Sequence, residues 1–121
     1  MDRYMIVIPA KNRAFNMKCD DGDSMKLETL QKLVGGPIEP VPALLSAEWA
    51  REKDVDGILL LVNEEGRLKG LPENPRAEEM VSYAAPAHAK LVGPAIVAAG
   101  RGEEIIGFAK PVAETICAEW L

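Results

Sequence analysis

Apolar residues are distributed unevenly along the chain, and their spacing predicts most of its elements. ILLLV (58–62) is apolar at every position, the pattern of a strand buried on both faces at the centre of a sheet. LVGPAIVAAG (91–100) predicts a second buried strand centred on Ile96 and Val97. YMIVIP (4–9) predicts a first strand stopped by Pro9, and AFNMK (14–18) the second arm of a hairpin. In MKLETLQKLV (25–34), Leu27, Leu30 and Val34 recur at helical spacing, with Leu33 widening the stripe. DDGDS (20–24) reads as a turn that supplies Asp23 or Ser24 as N-cap, and Gly35-Gly36 as the stop.

PIEPVP (37–42) is extended, but its three prolines confine it to a sheet edge or a bulge. LLSAEWAREKDVDG (44–57) predicts a short imperfect helix or an irregular excursion. After the central strand, NEEG (63–66) is a turn, and RLKGL (67–71) is expected to pair back as a strand. Asn74-Pro75 opens a helix through about Ala84, with proline at its first position. AAPAHAK (84–90) is a linker. RGEE (101–104) is a turn from which IIGFA (105–109) returns as a strand. In PVAETICAEWL (111–121), Val112, Ile116 and Trp120 mark one face of an amphipathic C-terminal helix, expected to dock on the sheet or on a second subunit. The order predicts an α+β fold: a mainly antiparallel sheet with two to three packed helices, in a single domain over 1–121.

A chain of 121 residues suffices for one hydrophobic core, and with 5% aromatic residues that core rests on aliphatic side chains. The net charge of −5, with dispersed Lys and Arg, argues against general nucleic-acid binding, which needs a basic face. It leaves room for one small anion. Cys19 and Cys117 are far apart and in no CxxC pattern, so free thiols in a reducing cytoplasm are expected. No secretory signal or membrane-spanning run is expected.

Three segments, LQKLVGGPIEPVP (30–42), LLLVNEEGRLKGLPENPRA (59–77) and LVGPAIVAAG (91–100), together resemble a family of small domains of unknown function common in bacteriophages, plasmids and bacterial mobile elements. That pattern runs through V-G-G, I-E, N-E-x-G, L-P-x-N-x-x-A and a final G-x-x-x-V. The phage setting of the resemblance implies a function. Phages encode small non-enzymatic proteins that sequester the nucleotide signals of bacterial defence, and the expectation is that this chain does the same in an infected cell's cytoplasm, as a homodimer or larger oligomer.

The residues expected to form the ligand shell are Asn63, Glu64, Arg67, Asn74 and Arg76. Asn63 and Glu64, at the end of a buried strand, carry donors and acceptors suited to a base edge or ribose hydroxyls. Asn74 and Arg76 stand where a helix N-terminus meets a cationic fork, a combination that holds phosphate. Arg67 and Lys69, two apart on an extended segment, would share a face and complete the anion site. Ordinary turn and cap chemistry also accounts for Asn63, Gly66 and Asn74. Asp20, Asp21 and Asp23 do not have the spacing of a calcium loop. One histidine, His88, and two distant cysteines make no zinc site, and no cofactor is expected. No nucleophile is identified. The alternatives are a module that inhibits a host protein through its surface and a hydrolase using Glu64 as base.

Overall fold

The computed structural model describes residues 2–43, 55–80 and 91–121, with Trp120 described for its backbone only. Most of the predicted excursion at 44–57 and the linker with His88 lie outside these residues. Among the described residues, strands β1 (Arg3–Ile8), β2 (Phe15–Lys18), β3 (Ile38–Pro42), β4 (Gly57–Asn63), β5 (Ala95–Arg101), β6 (Glu104–Ile106) and β7 (Phe108–Ala109) make one sheet. Helices α1 (Leu27–Val34), α2 (Pro75–Glu79) and α3 (Lys110–Trp120) pack on it.

The sheet order is β2-β1-β5-β4-β3, and every pairing between strands is antiparallel. The fold is thus the α+β arrangement expected from the sequence. The two uninterrupted apolar runs are interior strands, and Leu60, Leu61, Ile96 and Val97 are completely buried. The proline-rich segment is an edge strand, paired among the described residues only with β4.

Successive residues of a strand face opposite ways, and the interior strands therefore feed two cores. Ile58, Leu60, Val62 and Val97 pack with Ala77 of α2 and with Ala113 and Ile116 of α3. Leu61, Ile96 and Ala98 face the other way, onto Leu30 and Val34 of α1. The sheet separates α1 from α2 and α3.

Where β1 and β5 diverge, the segment from β6 to β7 fills the gap. β6 pairs with the end of β5, and β7 pairs with Arg3 and Tyr4 at the start of β1. The predicted strand at 105–109 is therefore broken in two at Gly107. A Cβ there would lie 2.6 Å from the Cys19 sulfur and 2.8 Å from the Tyr4 nitrogen, so only glycine fits.

Two expectations need correction. α1 starts at Leu27, and neither Asp23 nor Ser24 caps it. Asp20 reaches forward, accepting from Lys26 N at 2.9 Å and Thr29 Oγ1 at 2.6 Å. Residues 67–71 form no strand: Lys69 N bonds Glu65 O and Leu71 N bonds Gly66 O, so the segment coils. α2 ends at Glu79, with Met80 as its C-cap, and the expected continuation to about Ala84 lies outside the described residues.

Candidate functional site

The segment 63–76 carries all the sequence-derived site residues. Asn63 ends β4 with its side chain turned to the α1 side, in register with Leu61, and is 6% exposed. Its Oδ1 accepts from Glu65 N at 2.8 Å, the local bond that bends the chain into the turn. Its Nδ2 donates to Val34 O at 3.1 Å, satisfying a carbonyl that the end of α1 leaves open. Gly35 ends α1 in a left-handed conformation at φ 86°. Gly36 then lies so close that a Cβ would sit 3.0 Å from Asn63 Nδ2 and 2.8 Å from Lys69 Nζ. Lys69 donates to Gly35 O at 3.0 Å, a cation at the negative end of a helix. The VGG and NEEG motifs, about thirty positions apart, are thus two halves of one joint.

The turn is fixed from below as well. Gly66 is buried, and a Cβ on it would lie 2.7 Å from Val92 Cγ2. Glu64 N bonds Pro37 O at 2.8 Å, tying the turn to the start of β3. The side chains of Glu64, Glu65, Arg67, Leu68 and Lys69 are exposed on this frame, Leu68 at 89%.

Asn74 is the N-cap of α2, accepting from Ala77 N at 3.2 Å, as its place before Pro75 predicts. It does more than cap. Completely buried, it directs both amide hydrogens at backbone carbonyls, Ile8 O and Gly93 O, each at 2.9 Å. One side chain thereby joins the end of β1, the approach to β5 and the start of α2. Arg76 donates to the carbonyls of Pro9 and Asn12 in the β1–β2 loop.

The five candidate residues therefore do not form one cluster of ligand-facing side chains. Asn63 holds α1 and Asn74 holds α2, on opposite faces of the sheet, and Arg76 braces the hairpin loop. Glu64 and Arg67 are exposed on the turn. The long-range partners of the two asparagines were invisible in the sequence, because no local pattern names a carbonyl 29 or 66 residues away.

Elsewhere the acidic turn is similarly engaged. Hydrogen bonds from Thr29 and Lys26 N hold the Asp20 carboxyl below its ordinary range. Asp23 pairs with Arg101 at 3.0 Å. Burial pushes the Cys19 thiol up to about 11, and burial also raises that of Cys117, whose sulfur donates to Asn16 Oδ1. Both cysteines are free. Among the described residues, no group of three or more His, Cys, Asp or Glu is arranged to hold a metal ion, and no helix is long and apolar enough to cross a membrane.

These features define a small α+β domain in which buried side-chain amides lock the turns between an antiparallel sheet and helices on its two faces. The chain belongs to the family described as Domain of unknown function (DUF3846), which matches residues 3–120. No curated protein and no solved structure matches it.

Proposed function

We propose that this chain is a non-enzymatic binding protein of phage type that captures and holds a small, anionic, nucleotide-derived defence signal, and that the 64–69 turn is its contact element. The observation that carries the reading is the fixed turn. Asn63 and Lys69 bond it to the end of α1, and Gly36 and Gly66 pack closely around it, while the side chains of Glu64 and Arg67 are exposed. A contact element ordered before binding avoids the entropy cost of ordering on the ligand. Arg67 supplies a fork for phosphate, and Glu64 an acceptor for hydroxyls. The phage setting and the signal as ligand come from the sequence resemblance.

Native mass spectrometry of the purified protein, after incubation with cyclic oligonucleotides and cyclic ADP-ribose isomers, tests this. Retention of one compound, its recovery intact on denaturation, and at least tenfold weaker retention by Arg67→Ala are expected. Retention of none defeats the proposal.

Leu68 favours a second reading. A leucine this exposed at the tip of a rigid, charged turn suits a protein partner better than a small molecule. A stoichiometric host protein captured by the wild type and lost with Leu68→Asp, with no small molecule carried along, would support that reading.

A further inference from the structure

The two edges of the sheet are built differently. Hydrogen bonds from Glu64 N to Pro37 O and from Ala43 N to Ile58 O set the β3–β4 register, in which residues 37, 39, 41 and 43 face β4. Pro40 and Pro42 consequently turn their nitrogens outward, where each removes a donor from the free edge. Those two missing donors disfavour the addition of a further strand there.

At the other edge, Cys19 N bonds Arg3 O, so residues 15, 17 and 19 face β1. Asn16 and Lys18 then present their backbone N–H and C=O outward. No proline interrupts this edge, and among the described residues no backbone group bonds to it. The lysine that would discourage pairing is partly neutralised, since Lys18 Nζ lies 3.4 Å from Asp2. Phe15 stands beside it, 47% exposed.

We infer that β2 is where a second copy of this chain joins, the two β2 strands pairing antiparallel about a two-fold axis through Met17. In this register Asn16 of each protomer exchanges backbone hydrogen bonds with Lys18 of the partner subunit, and the two Met17 residues meet as a non-hydrogen-bonded pair. An axis through Lys18 would oppose that residue to its own copy, a like-charge pair that disfavours that register. In the chosen register Phe15 lies diagonal to Met17 of the partner subunit, which covers its exposed ring. The second copy fits because the edge is self-complementary in this register. Association stops at two because the far edge carries the prolines, whereas an open second edge would propagate a filament.

Light scattering on the eluting protein at micromolar concentration is expected to give twice the chain mass. Lys18→Pro copies the device of β3: it removes an outward donor and leaves the β1 ladder intact. It is expected to weaken the dimer at least about tenfold, since each dimer loses two backbone hydrogen bonds. In a Cys117→Ser background, Met17→Cys is expected to cross-link spontaneously to a covalent dimer, because the two Cβ atoms of a non-hydrogen-bonded pair are close enough for a disulfide. Leu68→Cys in the same background is expected to stay monomeric under denaturing electrophoresis. If Lys18→Pro does not fold, the comparison of the two cysteine variants decides. A monomeric wild type overturns the inference, and so does a dimer in which Met17→Cys cross-links no faster than Leu68→Cys.

Discussion

Asn74 offers the sharpest test of how this domain is held together, because two substitutions separate its roles. Aspartate is as good an N-cap as asparagine, so a residue that only capped α2 would tolerate Asn74→Asp. Here the amide also donates to Ile8 O and Gly93 O, both at 2.9 Å, from a fully buried position. A carboxylate keeps the bond from Ala77 N but turns an acceptor toward two acceptors. Each buried group left without a partner costs about 1–3 kcal/mol, and the unpaired charge adds to that. Asn74→Asp is therefore expected to lose at least about 3 kcal/mol, roughly 10 °C in melting temperature for a chain of this size. Asn74→Ala, which orphans three groups, is expected to lose about 3–5 kcal/mol, less than the whole stability of an ordinary domain.

Burial raises the folded-state pKa of the introduced carboxyl above its unfolded value. The deficit of Asn74→Asp relative to wild type should be smallest below the unfolded pKa and grow as pH rises through the folded one. Urea titrations followed by circular dichroism at several pH values measure both effects. An Asn74→Asp protein within about 0.5 kcal/mol of wild type at neutral pH would refute the reasoning.

Gly36→Ala is expected to cost about 1–3 kcal/mol by urea titration, because Lys69 can swing away from the new methyl group but the bonded amide of Asn63, at 3.0 and 3.1 Å, cannot. Gly107→Ala should be worse, a loss above about 3 kcal/mol or failure to fold, since the added carbon meets Tyr4 backbone at 2.8 and 2.9 Å; thermal melts with Gly36→Ala alongside rank the two. The Asp20 carboxyl is held low by Thr29 and Lys26 N, so its contribution is complete above its unfolded pKa and lost as pH falls through the folded value. Asp20→Asn should therefore destabilise at neutral pH and show a shallower loss of stability than wild type under acid, which acid titration of the two proteins will compare.

The strands were legible because burial on both faces leaves a continuous apolar run, as in ILLLV and AIVAAG, and prolines at 37, 40 and 42 announced an edge. The cap of α1 was not legible. Asp20 stands six residues before Lys26, and a tight Asp21–Ser24 bridge must form before its carboxylate reaches the helix. RLKGL alternates like a strand, yet the bond within Asn63–Glu65 and the burial of Gly66 under Val92 coil the chain before it can pair. In the candidate site, the cap at Asn74 could be read from its neighbour Pro75. The convergence of Asn63 on Val34 and of Asn74 on Ile8 depends on how the whole sheet stacks, and tertiary contacts of that range leave no mark on local spacing.

Because the sheet divides the interior into two cores that share no residue, the domain has a built-in plane of separation. Among the described helices α1 covers its side alone, fastened at one end by Asp20 and at the other by Asn63 and Lys69. Native-state hydrogen exchange should therefore resolve two tiers of protection, with α1 amides released by a partial opening and those of β5 only by global unfolding. Such an opening would expose the apolar face of Leu61, Ile96 and Ala98 while the core against α2 and α3 stays packed.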